Sequence, residues 1–290
     1  MKFRTEINLK DAPKILSPER PVLLAGSCFS DNIGTLMREC GWPVVVNPCG
    51  VIYNPLSMAI LFRLALSHRS LRHSIIESAI TQREGKYVSW FMGSVAMDTT
   101  VDGCIAKVAE AIDDLEEAIE KSDAIILTFG TSDVWLLKGT DCAVGNCHKH
   151  PASEFIKKRV GIGDIVNEWK EIITMVRERN PKVKVILTVS PRRYLSESFA
   201  DNTRQKAVLI LASESLCSEI PGVVYFPAYE ILNDDLRDYR YYKRDLLHPS
   251  EMAIDYVWEK FKEAFLDSIG ISKIQMMEKE RRRKAHIQKN

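Results

Sequence analysis

Five short stretches of this chain are apolar on consecutive positions: 21–27 (PVLLAGS), 43–48 (PVVVNP), 123–130 (DAIILTFG), 182–191 (KVKVILTVSP) and 223–228 (VVYFPA). A strand with one wet face alternates polar and apolar residues. Strands covered on both faces do not, so these runs predict a buried, mostly parallel sheet. Between them the period changes. In 102–121, Ile105, Val108, Ile112, Leu115 and Ile119 recur at three- and four-residue steps, one stripe of a helix. Further helices are predicted over 31–40, 55–66, 163–181 (opening beside Asp164 and stopping before Pro181), 203–217 and 250–270. Strand–helix alternation over most of the length specifies a doubly wound α/β sheet, whose site lies beyond the carboxyl ends of the strands.

Residues 55–100 fit the alternation least. They read as a helix, a polar connection and a hairpin around 84–93 (EGKYVSWFMG), together a lid-like insertion on the same domain. The expectation is one domain over 1–265 with a charged helical extension or tail over 266–290.

Composition narrows the function classes. The chain has 290 residues, a formal charge of +1, 46% hydrophobic and 27% charged residues. That balance gives no electrostatic case for nucleic acid or a membrane surface. No apolar run approaches the roughly 18 residues of a membrane span, and the start has no signal-peptide core, so a cytoplasmic location is expected. Seven scattered cysteines, an odd number, fit reduced thiols better than a disulfide framework. The run 278–284 (EKERRRK) interleaves glutamate and reads as a solvated helix. No phosphate loop or dinucleotide fingerprint occurs, and 161–166 (GIGDIV) lacks the third glycine; no cofactor is expected.

The ends of the strands carry the chemistry. Ser27 and Cys28 follow the first, Gly50 the second, Gly130-Thr131-Ser132-Asp133 the third, and Asp245 and His248 stand three apart before the last helix. A serine becomes nucleophilic when an imidazole takes its proton, and the imidazole needs a carboxylate to fix its tautomer. Of the six histidines, only His248 has an aspartate three residues before it. Ser27 also suits a helix N-cap. Cys28 is a rival nucleophile, but a strand direction that exposes Ser27 turns the next side chain inward. Backbone N–H groups of Ser27 and Gly50 are candidate oxyanion donors. Cys142, Cys147, His148 and His150 crowd 141–151 without paired zinc spacing, so no metal is expected. Arg192 and Arg193 stand just past a strand end, either holding an acidic substrate group or on a solvated turn. Trp135, Trp169 and Trp258 are expected in the core.

The blocks GSCFS (26–30), NPCGVIYNP (47–55), NCHK (146–149), LTVSP (187–191) and DLLHPSE (245–251) occur together in that order. The chain thereby resembles the GSCFA family, similar in layout to the SGNH, or GDSL-like, hydrolases. The resemblance implies a three-layer α/β/α sandwich of flavodoxin-like topology. It implies Ser27 as nucleophile, His248 as base, Asp245 as its orienter and Gly50 as an oxyanion glycine. It also places Asn146 and His148 beside the site. The superfamily's third block reads Gly-x-Asn-Asp; here Ser132 replaces the asparagine, leaving Ser132 or Asn146 as substitute donors. The implied activity is hydrolysis of a small O-acyl ester, acetyl-like and carbohydrate-linked, through an acyl-serine. An acyltransferase and a weakly catalytic carbohydrate-binding or scaffolding module on the same fold are the alternatives.

Overall fold

A computed structural model describes residues 4–140, 142–195 and 198–287. The first half of the chain runs β1 (Val22–Gly26), α1 (Cys28–Glu39), β2 (Val44–Val46), α2 (Pro55–Leu66), α3 (Arg69–Ser78), β3 (Ile80–Arg83), β4 (Lys86–Ser89), α4 (Val101–Lys121) and β5 (Ala124–Phe129). Then follow β6 (Asp133–Leu137), β7 (Ala143–Val144), β8 (Phe155–Arg159), α5 (Ile162–Arg179), β9 (Lys184–Val189), α6 (Phe199–Glu219) and β10 (Val223–Phe226). The chain closes with α7 (Ala228–Glu230), which passes into a π-helical turn over Ile231–Leu236, then α8 (Glu251–Phe265) and α9 (Ser268–Ile287).

The five consecutive apolar runs are the five strands of one parallel sheet, in the order β2-β1-β5-β9-β10. Their composition follows from what covers them. Leu23, Ile125, Leu127, Val185 and Leu187 face a core built with α2, α4, α5 and α6. The residues between them, Val22, Leu24, Ile126 and Ile186, face a second core with α1 and α8. Both parities are buried, so both must be apolar. Each such side chain contributes about 1.5–3 kcal/mol when removed from water. This is a three-layer α/β/α sandwich with helices on both faces of a parallel sheet.

Residues 55–100 supply α2, whose Met58, Ala59, Leu61, Phe62 and Ala65 lie in the same core as Leu23 and Leu127. The expected hairpin is β3–β4, paired antiparallel from Ile80↔Ser89 to Arg83↔Lys86. Its two-residue turn, Glu84 and Gly85, has positive φ at both positions (52° and 76°), the geometry that matches strand twist. A second small sheet, β7-β6-β8, is antiparallel and follows directly on the carboxyl end of β5.

Two features differ from expectation. The stretch 250–270 is not one helix: Leu266 leaves α8 in extended conformation, and the Asp267 carboxylate takes the Gly270 N–H at 2.7 Å to open α9. Hydrophobic spacing continues across this break, so periodicity does not register it. Trp135 is not a core residue; on β6 it is 37% exposed, whereas Trp169 and Trp258 are buried. No helix among the described residues is long and apolar enough to cross a membrane.

Candidate active site

The loops at the carboxyl edge of the sheet are bound to one another. Gly26 ends β1 with φ 135°, and a Cβ there would fall 2.2 Å from the Thr128 carbonyl oxygen on β5. Only glycine fits so close an approach. Its N–H donates to Asn47 Oδ1 at 2.8 Å and its carbonyl accepts from the Ile52 N–H at 3.0 Å, tying the loop after β2 to the start of α1. Asn47 Nδ2 in turn donates to Asp31 at 2.7 Å. The N–H groups of Gly130 and Thr131, after β5, both donate to the Tyr53 carbonyl, at 2.8 and 3.0 Å.

Within this frame the chain places Ser27 and Cys28 the opposite way round from expectation. Helix α1 begins at Cys28, three residues earlier than its apolar stripe indicates, and Ser27 is its N-cap. Ser27 is fully buried; its Oγ accepts from the Phe29 N–H at 3.3 Å and its own N–H donates to Thr128 O at 3.2 Å. Cys28, one residue on, is partly exposed. The physical reason is the change of element. Strand alternation ends at Gly26, and the first helical residue turns its side chain out over the helix N-terminus. Burial raises the Cys28 thiol pKa; the positive charge of Arg192 opposes it, Asp31 adds to it, and Lys206 opposes it again.

The expected oxyanion donors are also engaged. Besides the Ser27 N–H, the Gly50 N–H donates to Asn47 O at 2.7 Å, closing a tight turn in which Asn47 and Gly50 have φ 45° and 79°. Ser132 is sealed from solvent with its hydroxyl unpartnered. The Cys28 N–H, as the first of a helix, has no intrahelical acceptor.

Asp245 and His248 meet as their spacing requires. His248 Nδ1 lies 2.5 Å from Asp245 Oδ2, and Asp245 Oδ1 accepts the N–H groups of Leu247 and His248 at 2.9 and 3.0 Å. Those backbone donors first, then the imidazole, hold the carboxyl well below the usual aspartate range. The turn is closed by Leu246 N–H to Lys243 O and Lys243 N–H to His248 O. Leu246 sits in the left-handed region (φ 57°), strained for a branched side chain.

The loop after β9 connects the two halves. Arg193 N–H donates to the Leu247 carbonyl at 3.1 Å, and its guanidinium stacks on Tyr242 and Tyr239, 4.1 and 5.1 Å from the ring centroids. Arg192, its neighbour, packs on the rings of Tyr194 and Tyr53, 4.7 and 5.6 Å from their centroids. Beneath them Lys206 is fully buried, donating to the carbonyls of Gly130 and Ser190, both at 2.7 Å. Desolvation drives its pKa well below the usual lysine range, and the nearby Arg192 charge adds to that.

Asn146 and His148 follow β7. They line a cavity with Arg83, Lys86 and Ser94 beside the β3–β4 hairpin. Asn146 Oδ1 accepts the His148 N–H at 2.7 Å, and His148 Nε2 bonds the Ser89 carbonyl at 2.8 Å. Burial lowers the His148 pKa despite that bond. His150 pairs with Glu154 at 3.1 Å. No group of three or more His, Cys, Asp or Glu suited to a metal ion occurs among the described residues.

Tyr53, Tyr194 and Lys206 belong to the site and escaped sequence reasoning. Tyr53 falls inside the block NPCGVIYNP and Tyr194 directly follows Arg193, but neither tyrosine carries a spacing signal of its own. Lys206 lies in TRQKAVLIL, where a lysine ordinarily faces water. Tyr53 and Tyr194 also border a cavity of about 280 Å³ with Asn54, Asp133, Trp135 and Gln205 on its walls.

Fold and site thus define an α/β protein with a carboxylate-oriented imidazole and a helix-capping Ser-Cys pair at the carboxyl edge of its parallel sheet. The model of the GSCFA family matches residues 21–261, and the chain belongs to that family. No match was found among curated proteins. Among solved structures the chain is similar to a family 3 carbohydrate esterase from Talaromyces cellulolyticus, at 10% identity and TM-score 0.38, over 90% of this chain and 99% of that one. It is likewise similar to a Clostridium thermocellum family 3 carbohydrate esterase, at 10% identity and TM-score 0.38, over 84% and 94% of the two chains.

Proposed function

We propose that this protein hydrolyses O-acyl esters through a covalent acyl-enzyme formed at the N-terminus of α1. The observation that carries the reading is the Asp245–His248 pair, whose Nδ1 contact fixes the tautomer and leaves Nε2 as the proton acceptor. The partly exposed Cys28 thiol supports a nucleophile one residue beyond the serine expected from the family blocks.

In this mechanism His248 takes the Cys28 proton. The thiolate attacks the ester carbonyl carbon and forms a C–S bond, while the Cys28 N–H faces the developing oxyanion. Collapse breaks the C–O bond, and the alcohol leaves with the proton from His248. Water, deprotonated by His248, then attacks the thioester and releases the carboxylic acid and the thiol. An alcohol in place of that water would make the same site a transferase. The Trp135-walled cavity suits a polyhydroxylated alcohol of carbohydrate type, because its aromatic surface offers a stacking face.

The test is a panel of p-nitrophenyl and sugar O-acyl esters with the wild type and His248→Ala. Hydrolysis that requires His248 is expected. Turnover unchanged in His248→Ala, or absent from wild type across the panel, rejects the reading.

A second reading, nucleophilic attack by Ser27, rests on the same dyad and the family blocks. It requires the Ser27 hydroxyl to leave its capping bond, a loss of about 0.5–2 kcal/mol.

A further inference from the structure

Among the described residues Arg192 has no carboxylate partner. Its guanidinium lies against Tyr53 and Tyr194, which meet edge to face with centroids 5.9 Å apart. Its Nε is buried and has no hydrogen-bond partner, and the buried Tyr194 hydroxyl, though close to the guanidinium, makes no hydrogen bond of good geometry. Among the described residues no carboxylate lies within ion-pair distance of Arg192. The neighbouring acids are engaged elsewhere: Asp31 accepts from Asn47, Glu230 from the Tyr225 hydroxyl, and Asp133 from Gln205 and Arg159.

A buried donor left unmade costs more than one paired with water or protein, and a half-buried charge costs more still. Lys206 shares one of these rings: its Nζ is 4.8 Å from the Tyr194 ring centroid and 5.6 Å from that of Tyr229. Two basic side chains thus share the Tyr194 ring. Arginine is also the side chain best shaped for a carboxylate, which it holds with two parallel N–H bonds. Its neighbour Arg193 differs, since it packs on Tyr242 and Tyr239 against the His248 turn.

We propose that Arg192, with the Tyr194 hydroxyl, is a carboxylate-binding subsite beside Cys28, and that the substrate is an ester bearing a carboxylate close to its scissile carbonyl. This narrows the hydrolase reading given above and rests on it for the word substrate. The subsite itself rests only on Arg192, Tyr194 and the thiol they flank.

Iodoacetate and iodoacetamide separate the two. Both transfer a two-carbon group to a thiolate: a C–S bond forms, the C–I bond breaks and iodide leaves. They differ in carrying a carboxylate or a neutral amide. The rate of each at Cys28 is followed by peptide mass spectrometry in the full-length wild type, Arg192→Gln and Arg192→Lys, with Cys147 as the internal reference thiol. Any effect of Arg192 on thiol ionisation acts on both reagents and cancels in their ratio.

The iodoacetate-to-iodoacetamide ratio at Cys28 is expected to fall about tenfold or more in Arg192→Gln, to be partly kept in Arg192→Lys, and to stay unchanged at Cys147. Iodoacetate should saturate at Cys28 and be competed by succinate. An equal ratio in wild type and Arg192→Gln overturns the proposal. So does a Cys28 that takes neither reagent while Cys147 does. Retained selectivity without ester turnover would reject the hydrolase reading alone.

Discussion

Asp245 Oδ2 stands 2.5 Å from His248 Nδ1 while its other oxygen accepts two backbone N–H groups of the same turn. The carboxylate is therefore held from both sides before it acts on the imidazole. A turn so tied, with Leu246 forced to φ 57°, presents one face of His248 outward and gives the ring little freedom. The Arg193–Leu247 backbone bond then fixes this turn to the loop that carries Arg192.

Replacing Asp245 by Asn keeps an acceptor for the two backbone donors and removes the charge opposite the imidazole. Activity should fall by about 10²–10⁴ in kcat with little change in KM, because the loss falls on proton transfer. Steady-state kinetics on the best ester of the panel checks this; a loss confined to KM would contradict the assigned role.

Lys206 makes stability depend on pH. Its folded pKa is lowered by burial, so between that value and the unfolded value of about 10.4 the unfolded chain binds more protons. Stability should therefore rise with pH across that window, and the cost of burying the charge is fully present below it. In Lys206→Met this rise should disappear. Urea midpoints of both proteins from pH 7 to 10 measure the difference; parallel curves would contradict it.

The third block has a structural duty. Asp133 accepts from Gln205 at 2.9 Å and pairs with Lys157 and Arg159 at 2.9 and 3.3 Å, with its side chain only 9% exposed. Asp133→Ala leaves these groups facing one another. Because Lys157 and Arg159 keep partial access to water, the expected loss is about 2 kcal/mol or more rather than the full cost of a broken buried pair. Chemical denaturation checks it, and a change below about 0.5 kcal/mol would contradict it.

Gly26 admits no side chain. Gly26→Ala combines φ 135° with a Cβ 2.2 Å from the Thr128 oxygen, so strain and clash together should cost more than about 3 kcal/mol. A thermal melt within a few degrees of wild type would show that β1 and β5 can part without penalty.

The sheet was legible because burial on two faces leaves no room for polar residues, as Leu23 and Leu24 show by facing different cores. The dyad was legible because three residues on one turn bring Asp245 to His248 whatever surrounds them. The order of Ser27 and Cys28 was not. It depends on where α1 starts, and its first turn (CFSD) carries its capping in Ser27 rather than in apolar spacing. Lys206 was illegible for another reason: sequence records that a residue is charged, not whether it is buried. Asn146 and His148 form a recognisable block yet line a cavity by the hairpin.

The central claim is that the thiol of Cys28, activated by His248, is the group that becomes acylated. The most direct test is peptide mass spectrometry of the acid-quenched protein after brief exposure to p-nitrophenyl acetate, in wild type, Ser27→Ala, Cys28→Ala and His248→Ala. An acetyl adduct is expected on Cys28 that forms in Ser27→Ala and is lost in Cys28→Ala and His248→Ala. An adduct on Ser27 that persists in Cys28→Ala, or none on either residue, would contradict it.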